Sequence, residues 1–396
     1  MSKPNFDLSN LALQMVLPNN ELIYDDKGMP SVMVKIPKFK ISDVITGGSS
    51  NTHPAFIVNG KEIDAIYISK YLNVVDDGRA YSLPGQDPAN TLNFDQAVQY
   101  CTAKGEGWHL MTNAEWAAVE LWCLKNGFIP KGNNNYGKDG SESNRKAIPS
   151  NMDGSNVGRT ATGTGPLSWY HDGTVCGIAD LKGDVWEWSG GLRFVFGEVQ
   201  VLADNSAADL DNPQNASSAM WKAIDATSGS LIDPKGDGRT ANSVKVDIVS
   251  GKMQYTTTIA NATGNVNCKF AEISCAASIG AAAKAVLQAL GLLCTDTSAD
   301  YATTIGKVSC GITFVGYVIR PTYRKLKRKS LRKMKARIRY IQKEYESGLI
   351  DFEDVNNTMQ SYFGQMSNFD SYGLRKWIAE NIAFQRGETR GKGGIT

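Results

Sequence analysis

Histidine is scarce in this chain, and its cysteines do not pair up. Among 396 residues there are three histidines and seven cysteines. Cys101, Cys123, Cys176, Cys268, Cys275, Cys294 and Cys310 form no C-x-x-C step, which speaks against a zinc site. An odd count also speaks against a disulfide framework, so reduced cytosolic thiols are expected. No apolar run follows a basic region in residues 1–20, and a Sec-type signal peptide is not expected. The one candidate membrane span, residues 276–293, is rich in Ala and Gly and carries Lys284, so it reads as a buried or partly buried helix. No internal repeat is present.

What the chain has is a charge imbalance hidden by its total of +2. Residues 1–310 hold 25 Lys+Arg against 32 Asp+Glu, a net of −7; residues 311–396 hold 17 against 8, a net of +9. Arg320 to Lys343 contains no acidic residue. An acidic, Gly/Asn-rich body joined to a basic tail implies a polyanion partner for the tail alone.

In the body, Ala55–Val58, Asn59-Gly60 and Lys61–Ile68 predict a hairpin, because Asn-Gly tolerates positive φ at both centres of a type I′ turn. Asn93 with Gln96, and Thr112 with Glu115, are capping boxes that open helices running to Gly105 and to Asn126-Gly127. From Phe128 to about Gly165 the chain is Asn/Gly/Ser-rich and reads as long loops. Trp116, Trp186 and Trp188 are expected to be buried packing residues, the last two alternating along a strand. His109 and His171 have no partner pattern for a metal or nucleophile, and ordinary hydrogen bonding is expected. Cys268 and Cys275, seven apart, read as small residues on one helix face.

Trp108–Trp116 (WHLMTNAEW) and Gly177–Trp188 (GIADLKGDVWEW), with Phe94–Cys101 before them, resemble the formylglycine-generating enzyme (sulfatase-modifying factor) class of the C-type lectin fold. Within it, Ile36–Lys40, His53–Phe56 and Gly105–Leu110 look most like the variable proteins of diversity-generating retroelements. That resemblance implies a ligand-binding protein of a phage or prophage, located on a virion tail or in bacterial cytoplasm, with a host-surface protein or glycan as partner. In the enzyme class the Asn and Glu of G-N-x-W-E-W help bind calcium; here the matching residues are Asp184 and Glu187. They are candidate calcium ligands, and a hydrogen-bonded carboxylate pair is the alternative. No cysteine after the W-E-W segment stands in a motif matching the class's reactive pair, so oxidase chemistry is the weaker expectation.

In the tail, Gly311–Ile319 reads as one apolar strand. Leu331, Met334, Ile338 and Ile341 then mark a helix face with Ser330 as N-cap. A second helix near Asp351 would carry Val355, Met359, Tyr362 and Phe363 inward. A third would carry Leu374, Trp377, Ile378 and Ile382. Phe314–Tyr317, the basic helix, Ser361–Gly364 and Asp370–Leu374 together resemble the thumb of retroelement reverse transcriptases. No Y-x-D-D palm segment occurs, so the resemblance implies a non-catalytic remnant, joined to the body through an in-frame deletion or an assembly artefact. Arg324, Lys325, Lys327, Arg328, Lys329, Arg332, Lys333 and Arg337 are the candidate nucleic-acid contacts, with RNA as a partner.

The expected architecture is α+β: a C-type lectin-like, formylglycine-generating-enzyme-type domain with long loops, followed by a small basic three-helix bundle. Its parts are an N-terminal segment (1–35), the lectin-like domain (36–310), the thumb-like domain (311–385) and a tail (386–396). Ligand binding leads, nucleic-acid binding follows, and formylglycine-generating-type oxidation comes third.

Overall fold

The computed structural model describes residues 7–142, 144, 146–259, 267–269, 272–295, 304–306, 312–314, 317–319, 324–326, 328–351, 354–355, 359, 378 and 382. The chain divides into two compact units: 1–260 with 269–303, and 261–268 with 304–396.

The first unit opens with α1 (Leu8–Val16), then β1 (Asn20–Tyr24) and β2 (Pro30–Pro37). After α2 (Ile41–Val44) comes a hairpin of β3 (Ile57–Val58) and β4 (Lys61–Glu62), followed by β5 (Ala65–Ser69). The hairpin turns at Asn59 (φ 51°) and Gly60 (φ 72°), the positive pair that a type I′ turn demands. Residues 20–24 and 30–37 belong to the core sheet, whose order is β1-β2-β5, antiparallel throughout. Ile36 lies opposite Ile66 and Val34 opposite Ile68, so one sheet face is aliphatic.

That face packs on Phe56 and on α4 (Asn113–Lys125), which presents Ala114, Ala118 and Val119. A second side of α4 buries Leu121 against Val44 and Ile45 of the α2 turn. A helix buried on several sides is the centre of a core, and small Ala side chains let the sheet approach closely. Both capping boxes form, at α3 (Phe94–Thr102) and at α4. β6 (Asn73–Asp76) and β7 (Arg79–Ser82) form a two-stranded pair in contact with α3 and β2.

The 128–165 stretch is not all loop. It contains a bulged hairpin, β8 (Pro149–Asp153) and β9 (Asn156–Thr160), of which only Thr160 is buried and whose residues lack the apolar alternation that announces a strand. A second, larger sheet follows: β10 (Leu192–Val195), β11 (Glu198–Val201), β12 (Lys222–Ile224), β13 (Leu231–Ile232), β14 (Lys245–Val249), β15 (Lys252–Thr256) and β17 (Ser274–Cys275). Its order is β13-β12-β11-β14-β15-β17, with β10 also on β11. Cys275 is thus on a strand, as is Cys268 in β16 (Asn267–Lys269), which overturns their placement on one helix. The apolar stretch after 276 yields α5 (Ala281–Ala289), with Ala283, Leu287 and Ala289 buried. Among the described residues no helix is long and apolar enough to cross a membrane.

In the second unit β18 (Thr304–Gly306) pairs with β16. The apolar segment after Gly311 is two strands, not one: β19 (Ile312–Phe314) and β20 (Tyr317–Ile319), joined by β21 (Arg324–Leu326) in a three-stranded antiparallel sheet. Then α6 runs Arg328–Glu346, placing Ser330 inside the helix instead of at its cap. Met334, Ile338 and Ile341 form its buried face, packed with Val355, Met359 and Ile378. Tyr362, Phe363, Leu374 and Trp377, and the bundle expected from them, lie outside the described residues.

Candidate functional site

The Gly177–Trp188 segment is not a strand. Residues 184–189 have no ladder partner, and Trp186, expected to be buried, is 54% exposed. Left-handed backbone at Asp180 (φ 59°) and Asp184 (φ 59°) breaks the alternation that the sequence pattern implied. Trp116 and Trp188 are half-buried; the indole Nε1 of Trp188 donates to Leu92 O at 3.0 Å, and its ring meets Phe94 edge-on. Among the described residues the fully buried indoles are Trp169 and Trp221, which no motif marks.

Asp184 acts as a clasp. Its Oδ1 accepts from Asn133 Nδ2 (2.7 Å), Thr160 N (2.8 Å) and Thr160 Oγ1 (3.2 Å). Asn133 also bridges Gly183, where an added Cβ would meet Asn133 O at 2.2 Å, so only glycine permits the approach. Burial pushes the Asp184 carboxyl up, against the pull of those hydrogen bonds. Three loops are therefore tied at one carboxylate: 133–138, the end of β9, and 183–187. Two of them carry exposed aromatics, Tyr136 (62%) and Trp186.

Asp180, in the same segment as Asp184 and Glu187, is not singled out by the sequence pattern. It is 3% exposed, its Oδ2 accepts from Gly163 N at 2.7 Å, and its Oδ1 has no partner. Burial pushes its carboxyl up to about 6. Glu187 is exposed and has no hydrogen-bond partner among the described residues. Its neighbour Asp184 offers a cation little at Oδ1, where three donors already point. Among the described residues no three His, Cys, Asp or Glu side chains converge in a metal-binding group.

His109 joins a buried network. Its Nε2 donates to Glu115 Oε1 at 2.9 Å and Nδ1 faces Gly107 O at 3.2 Å. Asn205 Nδ2 also donates to Glu115 Oε1, and Thr112 Oγ1 donates to Asn205 Oδ1. Burial alone would lower the His109 pKa, but the Glu115 carboxylate outweighs it and the net shift is upward. His171 accepts from Ile178 N through Nδ1 at 2.8 Å, and His53 bonds Ala289 O at 2.9 Å. All three histidines are thus engaged in hydrogen bonds. Burial pushes the Cys123 thiol up to about 12 and Cys101 up to about 11, which disfavours thiolate at either.

Of the basic candidates, Arg324 and Lys325 fall on β21 and Arg328 and Lys329 in the first turn of α6. Arg332, Lys333 and Arg337 are exposed on α6, away from its buried face, and the Arg337 guanidinium lies 5.0 Å from the Tyr340 ring. Lys327 lies outside the described residues.

Comparison with known families rests on this geometry. Residues 12–193 match the family of the sulfatase-modifying factor enzyme 1-like domain. The match spans the core sheet, both capped helices and the Asp184 clasp, and ends as β10 begins. No curated protein matches the chain.

Proposed function

We propose that this is a ligand-binding protein of C-type lectin-like architecture, working through the face of clasped loops around Asp184. The observation that carries the reading is Trp186: a large aromatic left 54% exposed on a loop tied to its neighbours by the half-buried Asp184 carboxylate. An indole on a rigid loop offers a partner large contact area at little entropic cost. Immobilised glycans and bacterial cells are the probes, because sugars and surface proteins both stack on indoles. Trp186→Ala should abolish retention of the full chain while leaving its melting temperature unchanged; retention equal to the parent would sink the reading. Aldehyde formation on a cysteine-containing peptide would favour the oxidase reading instead.

Calcium at this face, where bound, would be held by Glu187 with Asp180 Oδ1 or Asp184 Oδ2, carboxylate oxygens that take no hydrogen bond among the described residues, and would rigidify the loop they share. Asp184 would support that loop through its hydrogen bonds. A calcium-dependent rise in melting temperature, lost in Asp180→Asn, is the check.

The finer reading, a retroelement variable protein joined to a polymerase remnant, is supported by the ordered motifs of both halves. It accounts for an acidic body and a basic tail in one chain, with RNA as the tail's partner. A template repeat and an intact reverse transcriptase gene beside this one would support it, and their absence would remove its ground.

A further inference from the structure

We propose that the first unit carries a second, separate site: a pocket for a small protonated amine bearing an aromatic ring, between β2, α2, α4 and the 171–176 loop. None of its residues belongs to the Asp184 loop face, so it stands or falls apart from the function above. The cavity is about 560 Å³, within the range of small-molecule sites. Val34, Phe39, Val44 and Trp122 line it with apolar and aromatic surface. Each ring is held by a neighbour: Phe39 meets Phe56 edge-on at 4.9 Å, and Trp122 lies 5.2 Å from the His171 ring. A fixed aromatic face can receive the ligand's ring or its ammonium group.

The charge left unpaired at the cavity is negative. Asp43 and Asp172 both line it, and neither has an ion pair among the described residues. Their hydrogen bonds come from backbone and hydroxyl donors. Asp43 Oδ2 accepts from Lys40 N at 2.8 Å, and Asp172 Oδ1 accepts from Thr174 N at 2.9 Å and Thr174 Oγ1 at 3.0 Å. The lysines are answered elsewhere. Val34 and Ile36 belong to the core face of β2, so alternation turns Lys35 to the other sheet face, where it meets Glu21 at 3.9 Å and the Tyr67 ring at 5.9 Å. Lys38 is held by two carboxylates, Glu62 at 3.1 Å and Asp64 at 3.3 Å. Lys125 has no ion pair among the described residues, but it is exposed in the last turn of α4, where its long stem can carry the charge into water. Burial lowers the His171 pKa, so that ring adds no charge at neutral pH. Two carboxylates against one exposed lysine favour a monocation.

A bare metal ion is a poor occupant, because among the described residues no three His, Cys, Asp or Glu side chains converge on one point. An organic cation brings its own apolar body to the aromatic surface and needs only one carboxylate for its ammonium. The wall that carries Asp172 is preformed, which lowers the ordering cost of binding. The buried Lys70 ammonium donates to the carbonyls of Val175 and Gly177 at 2.6 and 2.9 Å, and Asn20 Nδ2 donates to the carbonyl of Cys176 between them at 2.7 Å. Those bonds direct Lys70 to the backbone, and it donates nothing to Asp172.

The test is a calorimetric titration of the full chain, at low ionic strength, with phenethylammonium, its neutral counterpart phenethyl alcohol and its anionic counterpart phenylacetate. The amine should bind with a Kd below about 1 mM, and the other two at least about tenfold more weakly. Asp43→Asn combined with Asp172→Asn, whose amide oxygens can keep the Lys40 and Thr174 backbone bonds, should raise the amine's Kd at least about tenfold while the far-UV spectrum matches the parent. Lys125→Gln removes a like charge from the rim without touching the core, and should lower the Kd about twofold. An amine that fails to bind, equal binding of the alcohol, a Kd unmoved by the paired Asn substitutions, or weaker binding in Lys125→Gln would overturn the proposal.

Discussion

Single residues divide here by what their polar atoms meet. His109 has an acceptor at each ring nitrogen, the Glu115 carboxylate and the Gly107 carbonyl, an arrangement that holds the imidazolium. Its pKa is raised above 6.5 and that of Glu115 is lowered below 4.5. A raised histidine stabilises fully below its unfolded value, and that contribution disappears as pH climbs through the folded value. A lowered glutamate stabilises above 4.5, and its contribution is lost as pH falls through the folded value. The pair should therefore stabilise most between these limits. The melting temperature of the parent minus that of His109→Gln should peak between pH 4.5 and 6.5 and shrink toward pH 8; a flat difference would count against the ion pair. The indoles give a second contrast. Trp169 is fully buried and its Nε1 donates to Glu142 Oε2 at 3.1 Å, whereas Trp186 is largely in water. Trp169→Ala should cost about 3–5 kcal/mol in urea unfolding. Trp186→Ala should cost within about 0.5 kcal/mol, as for other surface positions. Equal losses would show that the exposed indole is a packing residue after all.

At the scale of elements, the sequence was legible where a local rule decides the outcome. Asn59-Gly60 specified a turn because few other pairs accept positive φ twice, and Thr112/Glu115 specified a helix start because the two side chains satisfy each other's backbone. The Met334/Ile338/Ile341 face emerged as expected because a helix repeats its pattern over many residues. The candidate site was less legible because it depends on distant partners. Nothing local to Asp184 reveals that Asn133 and Thr160 will donate to it, and nothing local to Asp180 foretells its buried, unpartnered oxygen. Trp186 and Trp188 alternate as strand residues do, and alternation is the same in a strand and in an extended loop; only the missing ladder tells them apart. Thr112 links both levels. Its hydroxyl accepts from Glu115 N as a cap and donates to Asn205, so Thr112→Ala should exceed the usual ~1 kcal/mol for a lost cap and approach about 2–3 kcal/mol. Thr112→Ser, which keeps both bonds, should recover most of that loss. A cost no greater than that of an isolated cap would mean that the Asn205 bond contributes nothing.

For the whole molecule the decisive quantity is the separation of charge along the chain. A uniform protein of net +2 would bind polyanions feebly and with little dependence on salt. Here −7 and +9 are segregated at residue 311, and screening over about 8 Å at physiological ionic strength keeps distant carboxylates from cancelling a local basic surface. On α6, Arg332, Lys333 and Arg337 are exposed while Met334, Ile338 and Ile341 are buried, so cations can be removed without touching the core. The full chain should therefore bind single-stranded RNA weakly, with little sequence preference, and with a log–log salt slope of roughly −0.7 for each contacted phosphate. Converting Arg332, Lys333 and Arg337 to Gln should flatten that slope by up to about 2 if each contacts one phosphate. Ile338→Ala is the control: it should cost about 2–5 kcal/mol of stability yet leave the slope alone at temperatures where the unit remains folded. A slope unaltered by the three Gln substitutions would place the polyanion contacts elsewhere and leave α6 as a solvated helix.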